Sequence, residues 1–171
     1  HNSLYANTTS SNNTALGTNA LIANTTGSSN AAVGSGALDA NTTGAANTSV
    51  GVSSLGSTTT GQHNVAVGYY ANYANVSGNY NVTMGLQAGR YTTGSNNTAL
   101  GYQSMFGLSG QSSASNNTAV GYQSLYTNTT GSGLTAVGYG ALKLNTSGSE
   151  NTAIGRNALD ANLTGASNTA V

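Results

Sequence analysis

The chain has no cysteine, no proline and no tryptophan, and charged residues make up only 4% of its 171 positions. The lack of cysteine excludes disulfide bonds and thiolate metal sites as sources of stability. The lack of proline is typical of a fold in which nearly every backbone N–H joins a hydrogen-bonded ladder, because proline has no N–H to donate. Solubility must therefore come from asparagine, serine, threonine and glycine.

The scarcity of charge also excludes classes of partner. Arg90, Lys143 and Arg156 are the only fixed cations, whereas nucleic-acid binding needs a basic cluster that neutralises phosphates. No apolar run approaches the roughly 20 residues that a membrane-spanning helix requires. We therefore expect no nucleic-acid partner and no membrane insertion.

What the chain has instead is a motif of the form Asn-Thr-Ala-(aliphatic)-Gly that returns with a period of 17 residues. A fixed short period predicts one structural unit per repeat, each stacked on the next. Columns are numbered here from the leading residue of each repeat. The repeats begin at Asn13, Asn30, Asn47, Asn64, Asn81, Asn97, Asn117, Leu134 and Asn151, and a tenth begins at Asn168.

Two glycine columns divide each repeat into two short segments, which fits two strands and two turns with coils stacked about 4.8 Å apart. A helical repeat is excluded by the density of glycine, asparagine, threonine and serine. We predict an all-β fold, a parallel β-solenoid (β-roll) with one coil per 17-residue repeat. Residues 1–171 would form a single rod of about ten coils. Partial repeats at both ends indicate a segment of a longer protein or of an end-joined fibre.

A glycine that recurs in one register marks a site of positive φ or close backbone approach, so the fifth column is predicted to form a structural corner. The predicted corner residues are Gly17, Gly34, Gly51, Gly68, Gly85, Gly101, Gly121, Gly138 and Gly155.

The fourth column is aliphatic throughout and is predicted to fill the coil. The third column is nearly all small, as in Ala119 and Ala136, and is expected to face a partner chain, since adjacent strand residues point to opposite faces. The predicted core residues are Leu16, Val33, Val50, Val67, Met84, Leu100, Val120, Val137 and Ile154.

Asn-x-Ser/Thr sequons recur in one register, so these asparagines are candidate acceptors for N-linked glycosylation. The alternative, which we favour, is a ladder of side-chain amides, because glycans only about 4.8 Å apart would crowd one another. The asparagines are Asn7, Asn24, Asn41, Asn75, Asn128, Asn145 and Asn162.

The few titratable groups do not predict an active site. Asp39 and Asp160 are seven repeats apart, which separates them by more than about 30 Å. Paired carboxylate chemistry is thereby excluded, and neither Glu150 nor the imidazoles His1 and His63 form a metal or nucleophile pattern. We expect no enzyme activity, no catalytic or metal-binding residues and no cofactor.

Two stretches, Asn117-Thr118-Ala119-Val120-Gly121-Tyr122-Gln123-Ser124 and Asn151-Thr152-Ala153-Ile154-Gly155-Arg156-Asn157-Ala158, resemble the Asn-Ser-Val-Ala-Ile-Gly-x-x-Ser/Ala repeat of YadA-type trimeric autotransporter heads. The Asn-Thr-Ala-Val-Gly-Tyr-Gln and Asn-Thr-Thr-Gly patterns are also similar to those of phage tail-fibre-like proteins. The YadA repeat is shorter, and here the added length lies in the Asn-Thr-Thr-Gly half. The resemblance implies an extracellular rod at a cell or virion surface.

The favoured function is an extracellular structural or adhesive fibre segment: an adhesin stalk or head, or a tail-fibre shaft. Its partners would be copies of itself, as a homotrimer or an end-to-end polymer, with a host-surface or carbohydrate receptor as a further partner. Two alternatives stay open. One is a functional-amyloid-like filament stacked coil on coil. The other is an ice-binding solenoid, although adjacent threonines such as Thr25 and Thr26 point to opposite faces.

Overall fold

The computed structural model describes residues 2–171, so that His1 lies outside it, and shows one ten-stranded parallel sheet whose strand order follows the chain. The prediction of an all-β parallel β-solenoid with one coil per repeat is confirmed, with about nine turns of about 17 residues. The strands are β1 (Thr14–Leu16), β2 (Ala31–Val33), β3 (Thr48–Val50), β4 (Val65–Val67), β5 (Val82–Met84), β6 (Thr98–Leu100), β7 (Thr118–Val120), β8 (Thr135–Val137), β9 (Thr152–Ile154) and β10 (Thr169–Ala170).

Each strand occupies columns two to four of its repeat and pairs in register with the next coil. Ala119 lies opposite Ala136, and Val120 lies opposite Val137. Because side chains alternate along a strand, the middle residue faces the opposite way from the two that flank it. Every column of the sequence is therefore also a row of side chains along the rod.

The third column, not the fourth, faces the interior. Ala119 and Ala136 are completely buried, whereas Val120 and Val137 are partly exposed. The predictions of a fourth-column core and of a third column facing a partner are therefore wrong. Of the predicted core residues, Leu16, Val50, Met84 and Ile154 are exposed, and Val33, Val67, Leu100, Val120 and Val137 are only partly buried.

The interior is filled from the other side of the coil, by alanine in column eight and leucine in column nine. Leu38, Leu55 and Leu125 are completely buried. Column nine faces column three, because a Cβ added at Gly89 would lie 2.8 Å from the Cγ2 atom of Thr83. A coil this slender has no room for two large side chains at the same height, so leucine in column nine requires a small residue in column three.

The second segment of each coil is a series of turns, so the prediction of two strands per repeat is wrong. In the first coil, Ala20, Ile22 and Asn24 donate their N–H groups to carbonyls three residues earlier. The intervening N–H groups of Leu21 and Ala23 donate to the next coil. Alternation of this kind uses left-handed residues, with φ of 60° at Asn19 and 52° at Leu21.

Two columns of asparagine connect the coils on the side opposite the leucines. In column one, the Oδ1 atom of Asn13 accepts the backbone N–H of Asn30 at 2.9 Å, and this contact recurs along most of the rod. In column twelve, the Nδ2 atom of Asn41 donates to Oδ1 of Asn24 at 2.8 Å and to the Gly44 carbonyl at 3.0 Å. These bonds satisfy amides that would otherwise be costly to bury.

The longest repeat, residues 97–116, adds its extra residues without interrupting the sheet. Strands β6 and β7 pair in full register on either side of it. The added residues form a turn closed by a bond from the Gln111 N–H to the Leu108 carbonyl, and residues 108–111 are exposed. The sequence predicts that this repeat, three residues longer than most, bulges outward at residues 109–115. The observed bulge is shorter, since Ser112 and Ala114 are buried.

The apolar interior consists of two clusters rather than one. The first extends from Ala20 to Ala71 and the second from Ala88 to Ala153. Between them the leucine column is interrupted by Asn72 and Gly89. Asn72 is buried, and its Nδ2 atom has no hydrogen-bond partner. The rod thus has a polar discontinuity in its fourth and fifth coils.

Candidate functional surface

The titratable residues are dispersed along the surface of the rod. Among the described residues no group of three or more His, Asp or Glu side chains is placed to hold a metal ion. The same part of the chain has no pocket. Partial burial raises the pKa of the Asp39 carboxyl, and hydrogen bonds from the Ala40 and Asp39 backbone oppose that effect. Asp39 is the acidic residue of an otherwise uncharged coil and faces no second carboxylate in its own repeat.

The outer face of the sheet carries a row of aliphatic side chains along its whole length, beside the mostly threonine side chains of column two. Column four contributes aliphatic side chains such as Leu16, which is 67% exposed, and column six continues this surface beyond the glycine corner. We call the outward side chains of columns four and six the outer stripe. Its sixth-column members are Thr18, Ser35, Val52, Tyr69, Leu86, Tyr102, Tyr122, Tyr139 and Arg156.

Tyrosines in the C-terminal half of the outer stripe stack on one another. The ring centroids of Tyr102 and Tyr122 are 5.2 Å apart, and those of Tyr122 and Tyr139 are 4.9 Å apart and nearly parallel. The guanidinium of Arg156 lies 5.5 Å from the Tyr139 centroid. Because these ring faces cover each other, only their edges meet solvent. The stack therefore adds apolar edge area and offers few free ring faces to a sugar.

The outer stripe is large for an isolated chain. Eleven of its side chains are exposed large hydrophobic residues, with exposed fractions from 37% to 95%. Single exposed hydrophobic side chains are normal on a monomer, whereas large apolar patches mark interaction sites. A row of exposed apolar side chains this long is typical of an interaction surface.

The sequon asparagines form an amide ladder, and the structure argues against their glycosylation. Asn24, Asn41, Asn75, Asn128 and Asn145 are buried, while Asn7 and Asn162 are partly exposed. Nδ2 donates to Oδ1 of the preceding coil at 3.0 Å in both Asn145–Asn128 and Asn162–Asn145. A glycan on a buried Nδ2 atom would have no space. The prediction that these five asparagines are candidate glycosylation sites is therefore wrong. The predicted ladder of side-chain amides is confirmed at the asparagine pairs that are hydrogen-bonded in this way.

The threonine columns differ in what their hydroxyls do. In column thirteen the Oγ1 atoms of Thr25 and Thr42 donate to carbonyls of the next coil, at 3.0 and 3.1 Å. In column fourteen Thr26 and Thr43 are exposed. In column two, Thr118 lies on the outer face of the sheet beside Val120. Exposed threonine therefore occurs on two separate sides of the coil.

One surface feature was missed by the sequence reasoning. Arg90 shares the tenth column with Asp39, Lys143 and Asp160, which predicts a solvated side chain. Its guanidinium carbon instead lies 4.8 Å from the ring centroid of Tyr70 and 5.0 Å from that of Tyr91. Tyr70 is in column seven of the preceding coil, while Tyr91 follows Arg90 in the chain. The one available signal was the concentration of aromatic residues between positions 69 and 126 in a chain that is only 6% aromatic.

The fold and this surface define a class: a repeat protein of the parallel β-solenoid type with an exposed apolar sheet face. No protein-family model matches the chain, and no curated protein or solved structure is significantly similar to it. The described residues form no helix long and apolar enough to cross a membrane. The resemblance to YadA-type heads and tail-fibre repeats stays a prediction from the motifs.

Proposed function

We propose that the chain is a non-catalytic segment of an extracellular structural or adhesive fibre, an adhesin stalk or head or a tail-fibre shaft, that associates with copies of itself through the outer stripe. The single observation that carries the proposal is the unbroken row of exposed and partly exposed aliphatic side chains on the sheet face. A water-exposed apolar row this long favours burial against a partner. The motif resemblance supports a location at a cell or virion surface.

The geometry of the outer stripe favours a closed homotrimer. Column four projects from the sheet and column six lies beyond the glycine corner, so the two flanks of the stripe face different directions. A chain with two different apolar flanks makes a heterologous contact with each of two neighbours, and such contacts close into rings. Three chains form the smallest ring of this kind. Parallel rods about one axis bring identical coils to the same height, so the aliphatic residues of each layer meet.

The test is the mass of the chain in solution, measured by sedimentation equilibrium. The wild-type chain should have three times the 16.8 kDa of one chain. The double variant Val120→Lys/Val137→Lys should be monomeric, because an ammonium group buried without a partner costs several kcal/mol. Its circular dichroism should stay that of the folded parent, since both side chains point outward.

The matched control is Thr130→Lys/Ser147→Lys. It places two lysines in the same two coils at exposed column-fourteen positions, so it should remain trimeric. A wild-type chain that is monomeric at high concentration would contradict self-association through the stripe. A broad series of large species would instead favour the filament stacked coil on coil.

Ice binding is the second candidate, and one observation favours it. Outward threonines in column two, such as Thr118, Thr135 and Thr152, stand beside aliphatic residues in column four on a regular sheet with a repeat of about 4.8 Å. Hydroxyl and methyl groups in such an array can order water. In the trimer this array is covered. Thermal hysteresis by a monomeric wild-type chain would therefore support ice binding over the fibre, and its absence would exclude it.

A further inference from the structure

A compact patch of aromatic residues surrounds Arg90 in coils four to seven, and it meets the outer stripe where Tyr70 packs edge-on against Tyr69 at 4.4 Å between ring centroids. We call it the Arg90 patch. Tyr70 packs edge-on against Tyr73 at 4.8 Å between centroids. Tyr91 packs edge-on against Phe106 at 5.2 Å. The members of the patch are Tyr70, Tyr73, Arg90, Tyr91, Phe106 and Tyr126, the last of which stacks on Phe106 at 5.1 Å.

The Arg90 guanidinium is held between two rings but is not neutralised. The buried Nε atom has no hydrogen-bond partner. Asp39, the acidic residue that precedes it in the same column, is three coils away, about 14 Å along the rod. Glu150 and Asp160 are still more distant in the stack. The cation therefore lacks a counter-charge from the rod itself.

Contact with two rings restricts the orientation of the guanidinium. Because the Nε edge is covered, the terminal Nη edge is the part of the fork that remains for a partner. A fixed planar fork matches the two oxygens of a carboxylate and forms charge-assisted, bidentate hydrogen bonds with it. Arginine and tyrosine are also the residue types that contribute most energy at recognition surfaces. The patch is thus organised for a carboxylate next to an apolar ring.

The surroundings favour a sugar over a peptide as the carrier of that carboxylate. Two common modes of peptide binding use an added strand at a sheet edge or a helix in a groove. The patch offers neither, because the backbone groups of Arg90 and Tyr91 already bond to Ala74, Gln87 and Phe106. An acidic sugar needs only charge-assisted bonds to its carboxylate and contacts with the exposed edges of the rings. The exposed turn at residues 108–111 adds a rim to this otherwise flat side of the rod.

We propose that the Arg90 patch is a binding site for acidic saccharides, that is, for sugars of the uronic or sialic acid type whose carboxylate meets the Arg90 fork. All members of the patch belong to one chain, so binding does not require self-association and goes beyond the structural role proposed above. A rod that presents one such site per chain would gain avidity from every copy in an assembly.

The experiment is a titration of the full chain with a short oligogalacturonate, followed by NMR. Its fully methyl-esterified form, which keeps the sugar and loses the charge, is the control ligand. The acidic form should bind and shift the signals of Tyr70, Tyr91 and Phe106, while the ester should bind at least about tenfold more weakly. Equal binding of acid and ester, or shifts confined to other residues, would overturn the proposal.

The variants distinguish bidentate recognition by the Arg90 guanidinium from non-specific attraction by a positive charge. Arg90→Gln should weaken binding about tenfold or more, and Arg90→Lys should recover only part of that loss because lysine lacks the planar fork. Arg156→Gln, which removes an arginine that lies over a single ring, should leave the affinity unchanged. An equal loss with Arg156→Gln would show non-specific charge attraction and contradict the site.

Two further measurements make the outcome decisive. The Val120→Lys/Val137→Lys chain should bind the oligogalacturonate as the wild type does, so a failure of the fibre proposal leaves this one intact. A poly-glutamate peptide should bind more weakly than the saccharide. Tighter binding of the peptide at the same residues would overturn the assignment to sugars. If the Arg90→Gln variant did not fold, the NMR shifts of the wild-type chain with oligogalacturonate and with its methyl ester would still test the proposal.

Discussion

At the scale of single residues, the fifth-column glycine is the position that most constrains the chain. Gly121 has a φ of 131°, and a Cβ at this site would lie 2.5 Å from the carbonyl oxygen of Gly138 in the next coil. Both positive φ and close approach therefore apply. Gly155 has a similar φ of 123°, but a Cβ there would meet nothing within 4 Å.

This difference predicts unequal effects of one substitution. Gly155→Ala should lower the free energy of unfolding by about 1–3 kcal/mol, from backbone strain alone. Gly121→Ala should lower it further, to a total of more than about 4 kcal/mol, because the added Cβ also pushes the neighbouring coil away. Urea denaturation of both variants measures the difference. Equal losses would show that close approach does not matter at this corner.

A second residue-scale prediction concerns two adjacent alanines. Ala46 has a left-handed φ of 56°, whereas Ala45 does not have a positive φ. The left-handed conformation costs an L-residue about 1–2 kcal/mol but costs glycine almost nothing. Ala46→Gly should therefore raise the free energy of unfolding by about 0.5–1 kcal/mol, and Ala45→Gly should lower it by a similar amount. Thermal melts of the pair test the assignment, and shifts of the same sign would contradict it.

At the scale of the coil, the twelfth-column ladder is interrupted at Thr58 and again in coils five and six, where Thr92 and then Leu108 stand in the column. Thr58 stands where the neighbouring coils have Asn41 and Asn75. Its Oγ1 atom donates to the Asn75 backbone carbonyl at 2.8 Å, and the buried Oδ1 atom of Asn41 has no partner. An unsatisfied buried acceptor costs about 1–3 kcal/mol. The third coil is therefore the interruption that leaves a buried acceptor of this ladder without a donor.

The variant Thr58→Asn should raise the free energy of unfolding by about 1 kcal/mol, because its Nδ2 group would reach the Asn41 acceptor. Asn145→Ala is the opposite change and should lower it by about 1–3 kcal/mol, since Asn128 would lose one of its two donors and the Nδ2 group of Asn162 would lose its acceptor in this ladder. Differential scanning calorimetry gives both values. A Thr58→Asn chain less stable than the parent would mean that the threonine bond to Asn75 is worth more than the completed ladder.

The coil also shows how far the sequence determines the fold. The 17-residue period and the recurring glycines were sufficient to predict a parallel solenoid. Strand alternation, however, only says that Ala119 and Val120 face opposite ways. The choice of the larger residue as core was wrong because Leu125 and Leu142 already fill the interior from the turn segment. That segment was read as a strand because left-handed leucines have no sequence signature.

The candidate surface was predictable only in part. The wide separation of Asp39 and Asp160 and the amide ladder follow from the positions of the residues in the repeat, since residues in one column must stack. The outer stripe was not, because it depended on the side to which column four points. The packing of Arg90 between Tyr70 and Tyr91 joins two different columns, seven and eleven, of successive coils. Contacts between columns depend on the path of the turns, which periodicity does not give.

At the scale of the whole molecule, the two apolar clusters predict that the rod unfolds in two parts. Stability in a repeat protein is a sum of local terms and nearest-neighbour contacts, so a weak interface divides the stack. Asn72 and Gly89 weaken the contacts between coils four and five. Hydrogen exchange should therefore show the lowest protection in these coils and a separate opening of the two clusters.

The variant Asn72→Leu should join the clusters, because it removes a buried amide without a partner and restores the leucine column. The expected result is a gain of about 1–3 kcal/mol and a single thermal transition. Leu142→Asn is the control, and it should create a second division within the C-terminal cluster. Unchanged cooperativity in both variants would contradict the role of the leucine column in coupling the coils.

The direction of the inter-coil hydrogen bonds has a mechanical consequence. In a stack of parallel coils these bonds lie along the rod axis, so tension along that axis loads the bonds of one coil at a time instead of shearing all of them together. A rod pulled from its two ends should yield coil by coil at low force. Each 17-residue coil that peels away would release about 55–60 Å of extended chain, so a single rod would lengthen in many small steps and absorb a sudden pull before its attachment breaks.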